Sequence, residues 1–426
     1  MAEHYDVLVV GAGPAGLAAA DAAAGHGARV GLLDAQATLG GQVWRRDVRA
    51  EAPRMARHAF HAVERRTNIA RFTQTQIVAA TDKELLVEQA AQARTLRYDK
   101  LVLACGAREL LLPFPGWTLP GVFGAGGAQA LIKQGWPIAG KRVVIAGSGP
   151  LLLAVAATLR KHGASIAAIC EQASAKQLAA FAGALWRWPQ KAAQALVLRA
   201  TLTGVPYHAA AFVRAAHGDA RLRSVEVQIG ENLVRIECDH LAVGYGLVPN
   251  VELAQLLGCA LTRNGSHPHV EVDDDQRTSI ANVYAAGEVC GIGGRDSARI
   301  EGAIAGHAAV GATQAAQALR SAQRHARRFS ALLETRFTLD ARIRELATDD
   351  TIVCRCEDVT WSALRDFGDA RAAKLQTRCG MGACQGRICG TALAELGRFP
   401  RGGPRPPIFP ARLATLAEAD FASTPN

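Results

Sequence analysis

The sequence predicts an α/β fold: two dinucleotide-binding, Rossmann-like domains, one inserted in the other, followed by a small C-terminal cysteine-rich domain. Three observations carry this. The 426-residue chain opens with a strand, glycine turn, helix, strand pattern, and the pattern returns 136 residues later, from Gly11 to Gly147. Five of the ten cysteines then crowd into the last 73 residues, from Cys354 onward.

Tyr5 to Val10 is a β-branched and apolar run that leads into Gly11-Ala12-Gly13-Pro14-Ala15-Gly16, an Ala/Leu-rich helical stretch, and a second strand over Arg29 to Leu33. Leu101 to Gly106 is a buried-strand pattern that ends in glycine, and the Pro/Gly-rich stretch from Pro113 to Gly121 reads as the hinge into the inserted unit. There Arg142 to Ala146 is the strand, Gly147-Ser148-Gly149-Pro150 the turn and Leu151 to Lys161 the helix, and even His26-Gly27-Ala28 recurs as His162-Gly163-Ala164. After a polar meander over Arg221 to Asp239, the strand-like runs Leu241 to Gly246 and Val283 to Glu288 return the chain to the first domain. The expected division is 1–115 with 245–330 for the first domain, 116–244 for the insert, 351–398 for the cysteine domain and 399–426 for a Pro/Arg-rich tail lying over a neighbouring surface. One polar, Ala-rich helix with a basic end, serving as a solvated connector, is expected over Ala308 to Arg328.

With 49% hydrophobic and 20% charged residues the chain can bury a sizeable core, which excludes disordered and collagen-like readings. The amino terminus has no basic stretch followed by a long apolar segment, and no run of about 18 uninterrupted apolar residues occurs, so a cytoplasmic protein is expected. In a reducing compartment ten cysteines point to ligands or core residues rather than disulfides. A net charge of +10 raises nucleic acid as a partner, but aromatics are only 5% and no basic stripe interleaves with them, so nucleic-acid binding is not expected.

In the first turn Gly11 permits the tight bend, Gly13 lets a pyrophosphate approach backbone N–H groups, and Gly16 lets the helix pack on the strand. The helix begins Pro14-Ala15, so its positive dipole end faces the phosphates. Asp34 ends the second strand, where a carboxylate can accept hydrogen bonds from a ribose diol. In the second unit Leu152 stands in the slot of Gly16 and Cys170 in that of Asp34. Glu171, one residue on, points to the opposite strand face unless the strand ends early. A retained fold with a weakened or lost NAD(P) site is therefore expected, with a working nicotinamide site as the alternative.

Cys354-Arg355-Cys356 and Cys384-Gln-Gly-Arg-Ile-Cys389 supply four soft ligands. The first pair points the same way in an extended loop and can bind one iron, and the second pair can close the other. Gly380, Gly382, Gly386 and Gly390 would let N–H groups approach the sulfurs. Zinc is the competing metal, but structural zinc sites favour knuckles spaced by two to four residues rather than CxC, so a 2Fe-2S cluster is favoured. Cys379 is a competing ligand, since it and Cys384 also have four residues between them. Cys105, Cys170, Cys238, Cys259 and Cys290 are scattered and read as small core residues.

The glycine turn, the interrupting second unit and the late Ala286-Gly287-Glu288, with Thr278 and Gly40-Gly41-Gln42, resemble the two-dinucleotide-domain flavoproteins of the glutathione reductase type. That resemblance implies FAD in the amino-terminal site, held by Gly11, Gly13, Pro14, Ala15, Gly16, Asp34, Gly41, Gln42, Gly106, Gly287 and Glu288. Glu288, where Asp is commoner, would meet the ribityl chain. No CxxC follows the first unit, so a disulfide reductase mechanism is not expected. Val353 to Val359 and Lys374 to Cys389 resemble the bacterioferritin-associated-ferredoxin-like cluster domain, which implies Cys354, Cys356, Cys384 and Cys389 as ligands and leaves Cys379 out. Over nearly the whole chain these markers, with Gly147-Ser-Gly-Pro150 and Gly293-Gly294, resemble the family of FAD-binding subunits found in hydrogen cyanide synthase, opine oxidase and hydroxyproline dehydrogenase.

The resemblance implies an electron-transferring subunit of a heteromeric, dye-linked amino-acid or imino-acid dehydrogenase. Its partners would be an amino-acid-oxidase-like flavoprotein and a small ferredoxin-like subunit. FMN would sit between subunits in some complexes, a membrane quinone would accept electrons, and the complex would lie against the inner face of the membrane. No general base or nucleophile constellation stands out among twelve histidines, so no catalytic residue is assigned. The alternatives are a self-contained NAD(P)H-dependent FAD/2Fe-2S reductase and a non-catalytic cluster-holding scaffold. Of the net +10, +5 falls between Arg355 and Arg412 (10 basic, 5 acidic), beside the cysteines, where cations favour an anionic cluster.

Overall fold

Strand β1 (Glu3–Val10) ends in a continuous apolar run, Val7 to Val10, because that half is covered on both faces, as parallel strands in α/β folds are. It pairs in parallel with β2 (Val30–Leu33) on one side and with the second half of β6 (Gln92–Leu103) on the other. β3 (Ile69–Phe72) lies outside β2, and the late strand Val283–Ala285 lies outside β6. The first half of β6 turns back into an antiparallel meander with β5 (Glu84–Gln89) and β4 (Thr75–Ala80), completing a seven-stranded sheet. A computed structural model describes residues 3–264, 267–400 and 402–417; Met1 and Ala2, and Arg401 and 418–426 of the expected tail, lie outside the described residues.

Helix α1 (Pro14–Gly25) covers this sheet and packs against the helix Gly294–Ala309. Small residues make that approach close: a Cβ added at Gly302 would lie 2.0 Å from the Ala15 carbonyl oxygen, and one at Gly306 2.3 Å from that of Ala19. The helix expected over 308–328 is in fact two. The first ends at Ala309, Gly311 turns the chain with φ +75°, and a second runs from Thr313 to Arg336. Arg324 and Arg328 at its basic end are exposed, as a solvated face requires, while Arg327 pairs with Asp274 and Glu301 and Arg320, a turn earlier, with Asp275.

The inserted unit has its own parallel sheet, ordered Tyr207–His208, Ser165–Glu171, Arg142–Gly147, His240–Gly244 and Val122–Gly124. A three-stranded antiparallel sheet over 211–237 covers one side. The two crossings between the domains, Ala107–Glu109 and Leu247–Pro249, pair antiparallel with each other, which ties entry to exit.

One sequence expectation fails here for a definite reason. Strand Ser165–Glu171 carries an extra residue at Ala167, so the register against Arg142–Gly147 slips by one between Ile166 and Ala168. A bulge of this kind turns every following side chain over. Cys170 therefore faces the core, fully buried, and Glu171 rather than Cys170 occupies the slot of Asp34.

The cysteine domain pairs Ile352–Cys354 with Val359–Thr360 and adds the helices Ala370–Thr377 and Cys389–Glu395 around Val353, Leu364, Leu393 and Phe399. Asp369 caps the first helix by accepting from the N–H groups of Arg371 and Ala372. Beyond it the tail lies against the meander, where Ile408 N–H donates to the Val78 carbonyl at 2.9 Å.

Candidate flavin and thiolate sites

The first glycine turn opens on a cavity of about 410 Å³ at the carboxyl end of the parallel strands. It is lined by Gly11, Gly13, Pro14 and Ala15 of the turn, by Asp34, Gly41 and Gln42, and by Gly106 and Glu288. Gly16 and Gly287 stand behind the wall. A Cβ at Gly16 would lie 1.7 Å from the Gly11 carbonyl oxygen, and one at Gly287 would lie 2.9 Å from the Ala15 methyl, so both act by letting backbone approach. Gly11, at φ +102°, turns β1 into α1 with no room for a side chain against the Ala104 carbonyl.

Asp34 accepts from Ala12 N–H at 2.6 Å and Gln36 N–H at 2.7 Å, while burial pushes its carboxyl above the ordinary range. Its position at the end of β2 leaves it facing the cavity, where a ribose would lie. Burial, with the charge of Glu301 behind it, likewise raises the carboxyl of Glu288, and Glu301 itself is anchored by the Gly287 N–H at 3.0 Å. Cys105 lines the same cavity, and Cys290 follows Glu288 by two residues. Burial pushes the Cys105 thiol up to about 12 and that of Cys290 well above its ordinary value, so neither is an activated nucleophile.

In the cysteine domain the sulfurs of Cys354, Cys379 and Cys389 all lie within 4.8 Å of one another. Cys384 joins them through Cys389, and Cys356, the exposed member, through Cys384. The structure thus brings together the four sequence-predicted ligands and Cys379 as well. Hydrogen bonds from Cys379 and Cys389 lower the Cys354 thiol while the same contacts raise the thiols of those two partners, and backbone N–H groups of Gly380 and Glu357 also point at the Cys354 sulfur. Those of Ile388 and Gly386 point at Cys384, whose thiol is drawn down to about 5, chiefly by Cys389. Clustered thiols with N–H groups aimed at them form a pocket that favours a thiolate-bound metal centre.

Arg387 links the two sites. It lies inside the Cys384 to Cys389 loop and lines the flavin-type cavity. Its guanidinium donates to the Ile408 carbonyl at 2.7 Å, stands 4.0 Å from the centre of the Phe409 ring and meets the buried Glu252 carboxylate at 3.8 Å. Arg108, on the crossing strand, also binds Glu252, at 3.0 Å, and donates to the Arg387 carbonyl and to Thr391. Sequence reasoning missed Arg108, Arg387, Ile408 and Phe409, all of which line the cavity or its link. For the last two a signal existed: Ile408-Phe409 is an apolar pair in a stretch otherwise of Pro, Gly and Arg.

The second glycine turn keeps its backbone. Gly147, at φ +146°, leaves no room for a Cβ against the Gly244 carbonyl, as Gly11 does against Ala104. Glu171 accepts from Gly149 N–H at 2.7 Å and Ala173 N–H at 2.9 Å, the pattern Asp34 makes with Ala12 and Gln36, and burial raises its carboxyl to about 7. Leu152 is swallowed by the core of the insert. The chain itself covers the turn. The position of a Cβ on Gly149 lies 3.7 Å from the Phe337 ring, and Ser148 Oγ donates to the Phe337 carbonyl. Gln172 donates to the Thr338 carbonyl and accepts from Asp340 N–H.

This pairing of an open glycine turn with a second, inserted copy agrees with a family-level match. The model for pyridine nucleotide-disulphide oxidoreductases matches residues 5–322. The chain belongs to the pyridine nucleotide-disulphide oxidoreductase family. Within it the chain is 32% identical to an opine oxidase subunit of Agrobacterium tumefaciens (strain Ach5), over 98% of this chain and 92% of that one. It is 33% identical to hydrogen cyanide synthase subunit HcnB of Pseudomonas aeruginosa, over 90% of each. The crystal structure of L-proline dehydrogenase from P. horikoshii shares the fold at a TM-score of 0.70 and 20% identity, covering 98% of this chain and 81% of that one. The oxidoreductase family and the FAD-binding fold expected from the sequence are thereby shown. No helix among the described residues is long and apolar enough to cross a membrane.

Proposed function

We propose that this chain is the flavin and iron–sulfur electron-transfer subunit of a heteromeric amino-acid or imino-acid dehydrogenase, acting on the CH–NH bond of an opine, proline, hydroxyproline or glycine. FAD would be held by the residues around the first turn, and a 2Fe-2S cluster by Cys354, Cys356, Cys384 and Cys389. When bound, FAD accepts electrons as a pair and the cluster passes them on singly. The observation that carries the reading is Arg387, which belongs to the ligand loop and to the cavity wall at once, so the two cofactor sites share a side chain.

The chain's own residues have definite tasks in this reading. The α1 amino terminus offers N–H groups to the pyrophosphate, and Asp34 takes the ribose. Glu288, whose carboxyl burial shifts upward, lines the cavity where the polyol chain would lie. Arg387 and Arg108, which share the Glu252 carboxylate, place positive charge beside the thiolate loop and the cavity, which favours reduction on both sides. The segment over Gly149 supports electron entry from a partner rather than from nicotinamide.

Partners of the amino-acid-oxidase-like and ferredoxin-like kinds, a quinone acceptor and a place on the inner membrane face complete the proposal. FMN between subunits would depend on a surface shared with the partner and forms no part of it. The test is anaerobic stopped-flow reduction of the purified chain. NADH should leave the flavin oxidised, whereas the amino-acid-oxidase-like partner plus its substrate should bleach it and then the cluster; rapid bleaching by NADH alone would sink the proposal.

A further inference from the structure

Five thiols stand where a two-iron cluster needs four, and the fifth is placed better than chance packing requires. At a metal–sulfur bond of about 2.3 Å, two thiolates on one tetrahedral metal lie roughly 4 Å apart. The sulfurs of Cys354 and Cys379 lie within 4.8 Å of each other, close enough for one metal to draw both in, and both residues are buried. Cys356, by contrast, is the exposed member of the set, held from outside by contact with Gly382. The turn that delivers Cys379 is a built one. Arg378 leaves the helix Ala370–Thr377 in the left-handed conformation at φ +64°, held by Lys374, and Gly380, which follows Cys379, directs its own N–H at the Cys354 sulfur.

From this geometry we infer that Cys379 is a reserve ligand, able to replace Cys356 beside Cys354 on the same iron. The inference rests on the four-thiolate set proposed above. In the exchange the Cys356 sulfur leaves the iron and takes up a proton, while Cys379 gives up its proton and binds; no electron moves. Exposure makes Cys356 the thiolate that solvent oxidants reach first, so the reserve protects the cluster where it is most open.

The test uses the full chain, purified anaerobically as wild type, C356A, C379A and C356A/C379A, with iron, acid-labile sulfide and the EPR signal of the reduced cluster as readouts. Bound flavin reports folding. Both single variants should keep iron and sulfide at wild-type levels, C356A with a shifted EPR signal, and the double variant should lose at least tenfold of both. C356A as empty as the double variant would overturn the inference, and so would C379A losing the cluster while C356A keeps it. If C356A loses flavin as well, C356S takes its place. Wild-type chain carrying zinc without sulfide would overturn the parent proposal instead, and analysis of the wild type alone separates that failure from the other.

Discussion

The two glycine turns of this chain are built alike and surrounded differently. Gly11 and Gly147 occupy the same place under a neighbouring strand's carbonyl, and Asp34 and Glu171 grip the backbone in the same way. The first turn opens on a cavity, and the second is covered by the segment that leads from the helix Thr313–Arg336 toward the cysteines. The backbone of the second turn is thus kept while another part of the chain lies over it. The acid slot is kept because Glu171 holds the turn itself, satisfying two buried N–H groups that would otherwise cost about 1–3 kcal/mol each.

The comparison can be broken most severely at Gly16, by giving the first turn the leucine of the second. The Gly16→Leu side chain would drive into the Gly11 carbonyl, and flavin released per chain on denaturation should fall to near zero. Asp34→Asn is milder. Losing a charge-assisted acceptor of roughly 1.5–3 kcal/mol should weaken FAD binding about 10- to 100-fold, measured by fluorescence titration of the stripped chain.

Glu171 offers a pH test of the covered turn. Its folded carboxyl is raised to about 7 from an ordinary value of 4.5, so its contribution to stability is fully present below about pH 4.5 and is lost as pH rises through about 7. The loss amounts to about 2–3 kcal/mol. Thermal unfolding followed from pH 5 to pH 8 should show it in the wild type and not in Glu171→Gln. Smallest is the effect of uncovering the second turn. Phe337→Ala should reveal weak, millimolar affinity for ADP by saturation-transfer NMR, with none in the wild type; no binding in the variant would assign closure to the packing of Leu152 instead.

Most of the fold was legible because its signals are local. The first turn with Asp34, the repeat at Gly147 and the clustering of cysteines are all short spacings that a strand–turn–helix geometry explains. What stayed hidden is non-local or a matter of single-residue register. Nothing in Ser165 to Glu171 marks Ala167 as the extra residue, and that one residue exchanged the places of Cys170 and Glu171. The cover over Gly149 and the Arg387 link join segments more than a hundred residues apart. The break at Gly311 was legible and was outweighed by the alanine-rich run on both sides.

The tail carries one more implication, for how the molecule is made. Ile408 and Phe409 form part of the same wall as Gly11 and Asp34, yet they are translated some four hundred residues after Gly11. During synthesis the first domain can fold while this side of its cavity still stands open. In the function proposed above, FAD would have its easiest entry before the tail docks on Val78, and Arg387 and Phe409, which line the cavity, would close over it. Late docking would then make the tail a latch on cofactor loading, and the Arg387 bond to the Ile408 carbonyl would tie the thiolate loop to the same step.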